Sequence, residues 1–244
     1  MLSAEEVKRY ARHIVLRDVG GPGQQKIKAA RVLVVGAGGL GSPVLEYLAA
    51  AGVGALGVVD DDRVSLSNLQ RQIIHATPDI GRLKVESARD RIALINPNVA
   101  VEMHAVRLDA GNVDAIVAAY DIVVDGADNF PTRFVVADAC EKLHKPLVSA
   151  AVLAFYGTLT VLMPFAQGPG GATNPSLRTI MHGPEEMQAA TCAEIGILGS
   201  VAGVLGTLAA TEALKLITGV GVPLVRRMLS VDLRDMSFDE IDYE

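Results

Sequence analysis

Asp60 closes the apolar run Ala55-Leu-Gly-Val-Val59 and lies 24 residues beyond Gly36, the first glycine of Gly36-Ala-Gly38-Gly39-Leu-Gly41. A carboxylate at that distance past a glycine turn can take ribose hydroxyls. The glycines allow a tight turn and let a phosphate approach amides at a helix N-terminus, where the dipole favours anions. Behind Asp60 come Ser67-Asn68-Leu69-Gln70-Arg71-Gln72 and then Lys84 in Gly81-Arg-Leu-Lys84. A dinucleotide's pyrophosphate is held by backbone amides and needs few cations, whereas a triphosphate needs Lys or Arg to offset its charge. Asp128 and Asn129 follow a further apolar run, Ile122 to Val124. Each residue also has a plainer reading. Asp128 reads equally as the cap of a helix beginning near Pro131, Lys84 as a solvated helix residue, and Arg12 as an ordinary surface cation. Asp61 and Asp62 read as loop solvation. The five histidines have no mutual metal spacing.

The elements that must position these groups are written as alternating apolar runs. Residues 32–35 and 55–59 read as buried strands, and Leu40, Val44, Leu45, Leu48 and Ala49 between them recur at helical spacing. Residues 3–18 read as one helix, ended by Gly20-Gly-Pro-Gly23, with a short second helix over 24–30. Helices follow over 84–94, 113–119 and 131–143, with strands over 99–106, 121–125 and 146–152. This alternation predicts an α/β fold with a doubly wound, mainly parallel, Rossmann-like sheet. Asp60 and Asp128 then lie just past strand C-termini, where ligands bind in open α/β sheets. Beyond Tyr156 the pattern changes to a strand over 157–163 able to pair antiparallel. Residues 164–190 are Gly, Pro and polar, and read as a long mobile loop. A small-residue helix and two strands, near 224–230 and 236–241, close the chain. The expectation is one domain over 1–244, with a helical segment at 1–30.

Half of the 244 residues are apolar and none is tryptophan, so the core must be built from Ala, Val, Leu and Ile. The net charge of −6 is concentrated at the end, where residues 232–244 hold six acids and one arginine. The rest is nearly neutral, with 22 acids against 21 bases, which argues against a nucleic-acid partner. Cys140 and Cys192 are the only cysteines, too few for a disulfide framework, and point to the reducing cytoplasm. The start, MLSAEEVKRYAR, has no apolar signal core. Residues 196–211 carry no charge, but sixteen residues fall short of the roughly 20 needed to span a bilayer, so no membrane partner is expected. Gly199-x-x-x-Gly203 in this stretch suits close helix packing instead.

The motifs RYARHIVL, GAGGLGSP, the DDD–SNLQRQ block, GRLKVESA, INPNV, DGADNFPTR and CAEIGILG occur in order along nearly the whole chain. Together they resemble the MoeB/ThiF/HesA proteins, the bacterial relatives of ubiquitin-activating enzymes. The resemblance implies ATP-dependent adenylation of the C-terminal glycine carboxylate of a small ubiquitin-like sulfur carrier, MoaD-like or ThiS-like. The product would serve molybdopterin, thiamine or related sulfur-transfer biosynthesis. It implies that Gly39, Gly41, Asp60, Ser67, Asn68, Leu69, Gln70, Arg71, Lys84, Asp128 and Asn129 surround the nucleotide, with Asp128 holding Mg2+. One carboxylate suffices for Mg2+ beside phosphates and water. Arg12 would reach the phosphates of the partner subunit in a homodimer, and Cys192 matches a loop cysteine that bonds to the carrier in some members. Most such proteins also carry two Cys-x-x-Cys pairs that hold zinc. Here the first region reads Gly168-Pro-Gly-Gly-Ala-Thr-Asn-Pro175 and no second pair follows, so no four-thiolate zinc site is expected. An NAD-dependent oxidoreductase also fits the glycine spacing, but leaves Arg71, Lys84 and Asp128 unexplained. A non-catalytic family member is the third reading.

Overall fold

A computed structural model of the chain describes residues 1–181 and 196–243. Its centre is an eight-stranded sheet in the order β3-β2-β1-β4-β5-β6-β7-β8. The strands are β1 (Arg31–Val35), β2 (Ala55–Val59), β3 (Ala100–His104), β4 (Ile122–Asp125), β5 (Leu147–Leu153), β6 (Tyr156–Leu162), β7 (Arg227–Asp232) and β8 (Ser237–Asp242). The first five pair in parallel and the last three antiparallel. The doubly wound sheet with antiparallel C-terminal strands is thus as the sequence predicts.

Side chains alternate across a strand, and β1 shows what this does for the core. Val32 and Val34 face one apolar layer, and Leu33 and Val35 the other. Helices α3 (Gly20–Ala29), α4 (Gly41–Ala51), α5 (Lys84–Ile95) and α9 (Gly199–Thr218) cover the first layer, while α6 (Val113–Val117) and α7 (Phe130–Lys142) cover the second. A sheet buried on both faces explains why β1 and β2 read as continuous apolar runs.

Four local expectations are corrected. Gly20-Gly-Pro-Gly23 does not break a helix but forms the first turn of α3. Pro22 is tolerated there because the first-turn amides have no intrahelical acceptor. Residues 3–18 form two short helices, α1 (Ala4–Arg9) and α2 (Ala11–Ile14), interrupted at Tyr10. Tyr10 is buried, its hydroxyl accepts from Asn96 Nδ2 at 2.8 Å, and its ring occupies the space left by Gly52. Residues 164–181 contain a tight turn, Pro169–Gly171, and one helical turn, α8 (Leu177–Ile180), capped by Ser176. A single turn is too short to show a period; residues 182–190 of the expected mobile loop lie outside the described residues. Finally, β7 begins at Arg227 rather than 224, because the Leu224 N–H turns to the Glu212 carboxylate and Arg226 adopts φ 63°.

Helix α9 is longer than its uncharged stretch. It runs through Glu212 and Lys215, which pair with each other, and by length and composition it could cross a membrane. It packs against α3, α4, β5 and β6. The close approaches are at Gly199, against the Gln70–Arg71 backbone, and at Gly206, against Leu40 and Pro43; a Cβ at Gly203 would meet none of the described residues.

Candidate active site

The C-terminal ends of β1, β2, β4 and β5 open into a cavity of about 750 Å3. Its floor is the glycine turn. Gly36 takes φ 91° and donates its N–H to the Val59 carbonyl at 2.8 Å. Gly41 starts α4 with no room for a side chain, since a Cβ would stand 1.8 Å from the Gly36 carbonyl oxygen. Gly38 and Gly39 line the cavity; Gly41 is buried beneath it and shapes the turn instead of touching the space.

Asp60 sits at the end of β2 with its carboxylate largely buried. Oδ2 accepts the Ala37 N–H and Oδ1 the Asp62 N–H, each at 2.9 Å. Burial pushes this carboxyl above its ordinary range, while Lys84 and the two amide bonds pull it down. Lys84, the first residue of α5, is buried and not a solvated helix lysine. Its Nζ lies 2.8 Å from Asp62 Oδ2 and 3.8 Å from Asp60 Oδ2, and its backbone N–H donates to the Asp62 carbonyl. Asp62 therefore grips Lys84 at both ends and is more than loop solvation. The carboxylates of Asp60, Asp61 and Asp62 lie within 4.8 Å of one another, with this ammonium beside them.

Arg71 lies across the glycine turn, its side-chain carbons placed 3.6–3.7 Å from where a Gly39 Cβ would stand, and donates to the Ser67 carbonyl. Ser67, Asn68, Leu69 and Gln70 do not line the cavity. They form the turn that presents Arg71: Asn68 Oδ1 accepts the Ser65 N–H at 3.1 Å, and the Asn68 carbonyl accepts the amides of Arg71 and Gln72. Asp128 projects from the β4–α7 loop onto the cavity wall, exposed, and among the described residues only Asn129 Nδ2 hydrogen-bonds its carboxylate, at 3.4 Å. The helix cap is Asn129, whose Oδ1 accepts the Thr132 N–H at 3.0 Å. Asp128 is thus not the cap, and its oxygens remain available to a hard cation, for which an exposed carboxylate beside a phosphate-sized space is a suitable ligand.

Arg12 is exposed on α2 and does not reach its own chain's cavity. Cys192 lies outside the described residues. Cys140 is buried in α7, and burial pushes its thiol up to about 12. The sequence did not single out Arg133 and Gln72, or Ala151, Leu153, Tyr156 and Met181, which add apolar surface to the cavity lining. Only their neighbours in the DGADNFPTR and SNLQRQ stretches hinted at the first two.

A model of the ThiF family matches residues 10–244. Among curated proteins, the probable adenylyltransferase/sulfurtransferase MoeZ of Mycobacterium tuberculosis is 45% identical over 98% of this chain. The chain spans 61% of that relative's length. The SAMP-activating enzyme E1 of Haloferax volcanii is 44% identical over 99% of this chain and 87% of its own. The sulfur carrier protein adenylyltransferase of Thermus thermophilus is 46% identical over 97% and 87%. A crystal structure of E. coli MccB with ATP superposes with a TM-score of 0.80 at 23% identity, covering 96% of this chain and 71% of that one, which is a likeness of fold. With the glycine turn, Asp60, Arg71, Lys84 and Asp128 gathered at the C-terminal ends of the parallel strands, these matches make the chain a member of the ThiF family.

Proposed function

We infer that the protein is an ATP-dependent adenylyltransferase whose substrate is the C-terminal carboxylate of a small ubiquitin-like sulfur carrier. The observation that carries this reading is the convergence of two cations, Arg71 and Lys84, and one exposed carboxylate, Asp128, on a glycine turn. A dinucleotide site gives no reason for that set, and an inactive protein gives none for keeping it. The carrier assignment is supported by the names of the relatives from Thermus and Haloferax and by the apolar lining that Ala151, Leu153 and Tyr156 give the cavity.

In the proposed reaction a carboxylate oxygen attacks the α-phosphorus of ATP, the bond to the β-phosphate oxygen breaks, and pyrophosphate leaves. Both reactants are anions, so catalysis is positioning and charge neutralisation. Gly38 and Gly39 offer backbone amides and Asp60 receives the ribose. Arg71 and Lys84 face the phosphates, and Lys84 exchanges Asp62 for a phosphate oxygen. Asp128 would hold Mg2+, which supplies charge neutralisation to the triphosphate when bound. Arg12 acts in trans in a homodimer, supported by its distance from its own cavity and by the exposed Val15 and Leu16 nearby on the same segment. We place the protein in the cytoplasm without a membrane partner, in line with the packing of α9 against the sheet. Purified protein with Mg2+ and a cognate carrier should exchange labelled pyrophosphate into ATP. No exchange against a panel of carriers would count against the reaction.

A further inference from the structure

The loop that carries Asp128 is held by a buried ion pair that the reaction above does not use. Asp125 ends β4 and is completely buried; Arg133, in the first turns of α7, is 5% exposed. Between them lies Ala127. Its N–H donates to Asp125 Oδ1 at 2.9 Å, and its carbonyl accepts from Arg133 Nε at 3.0 Å. That same Nε stands 3.8 Å from Asp125 Oδ2, an oxygen that accepts no hydrogen bond of its own. The other end of the guanidinium donates to the Ala150 carbonyl on β5. One residue before, the Gly126 N–H is tied to the Val35 carbonyl at the start of the glycine turn.

Burying a carboxylate and a guanidinium carries a desolvation cost that their attraction often fails to exceed, so stability alone is a weak reason for such a pair. What the pair does here is geometric. Peptide units are planar, so fixing the Ala127 N–H and carbonyl fixes the two peptide planes on either side of its α-carbon. The second of these planes leads directly into Asp128, and Asn129 on the far side is fixed by its cap on Thr132. Asp128 is held between two anchored neighbours with its side chain exposed at the cavity wall.

We propose that Asp125 and Arg133 are positioning residues: they clamp Ala127 from both sides and so aim the Asp128 carboxylate at the cation that accompanies the nucleotide. The inference rests on Asp128 holding that cation, as proposed above. Loss of an outer partner of a metal ligand typically weakens metal binding about 10–100-fold, and the clamp should behave likewise.

The test is a titration of Mn2+ onto the full chain with a non-hydrolysable ATP analogue bound, read by water-proton relaxation. Wild type is compared with Arg133→Lys, Asp125→Asn and Asp128→Ala. Arg133→Lys keeps a buried cation but loses the guanidinium fork; Asp125→Asn keeps an oxygen for the Ala127 N–H but loses the charge opposite Arg133. Both should weaken Mn2+ by roughly 10–100-fold; in Asp125→Asn, whose side chain does not line the cavity, nucleotide binding in EDTA should stay at the wild-type level, a split that a role in stability alone would not produce. Wild-type Mn2+ affinity in both clamp variants, alongside its loss in Asp128→Ala, overturns the clamp. Wild-type affinity in Asp128→Ala overturns the cation reading beneath it. Independently of any variant, the Ala127 amide of the wild-type protein should exchange slowly with solvent although it sits in a loop at the cavity wall. Rapid exchange also overturns the clamp.

Discussion

At the scale of single residues, two neighbours in the sequence divide two jobs that look interchangeable in it. Asp128 and Asn129 both precede the Pro131 helix start, and both residue types are good caps. The structure gives the cap to Asn129 and leaves Asp128 facing the cavity. Asn129→Ala should therefore cost stability, about 1 kcal/mol as for other lost caps, with modest loss of turnover. Asp128→Ala should keep its melting temperature and lose pyrophosphate exchange by on the order of a hundredfold or more, as when an electrostatic stabiliser is removed. Comparing melting curves and exchange rates for the two variants checks the division. His75 supplies a pH prediction. Its ring is buried between the Ser87 hydroxyl and the Ala37 carbonyl, and burial lowers its pKa from 6.5. The unfolded chain then takes up a proton below 6.5 that the folded chain resists, so stability falls as pH drops through that value. The melting temperature should decline between pH 7 and pH 5, and His75→Gln should flatten part of that slope.

At the scale of elements, the strands and long helices were legible because burial on both sheet faces writes itself as apolar runs, as in residues 32–35 and 55–59. What was not legible depends on contacts between distant segments. Nothing local says that Tyr10 must break the first helix to fill the space beside Gly52, or that the Leu224 N–H is needed by Glu212. In the site, Asp60, Arg71 and Lys84 could be read from residue type and spacing, whereas the burial of Arg133 and the turn role of Asn68 could not. The region expected to lack zinc ligands has its own ties. Asn174 is buried and donates to the Met163 carbonyl at 3.0 Å, the Gly168 N–H reaches the Ala172 carbonyl at 2.8 Å, and Arg226 donates to the Thr173 carbonyl at 2.9 Å. We propose that these bonds hold the region without zinc. A chelator should leave the melting temperature unchanged, while Asn174→Ala should cost about 0.5–1.5 kcal/mol, the worth of one hydrogen bond, because the Met163 carbonyl keeps the Ala166 N–H. Stoichiometric zinc on elemental analysis would contradict this.

At the scale of the whole molecule, the proposed site is complete only if a second copy lends Arg12. Arg12→Ala should slow adenylation on the order of a thousandfold, the size of a lost arginine finger. Mixing it with Asp128→Ala under subunit exchange should restore activity, because each mixed dimer would hold one site lacking both residues and one intact site. No recovery despite proven exchange would place Arg12 outside a shared site. The central claim is the reaction itself, and intact-mass spectrometry of the carrier tests it most directly. With protein, MgATP and a carrier ending in free glycine, the account predicts a carrier heavier by one AMP, labile to thiol or hydroxylamine, and absent when Asp128→Ala replaces the wild type. A carrier panel that stays unmodified while ATP is bound, or one modified equally by Asp128→Ala, would contradict it.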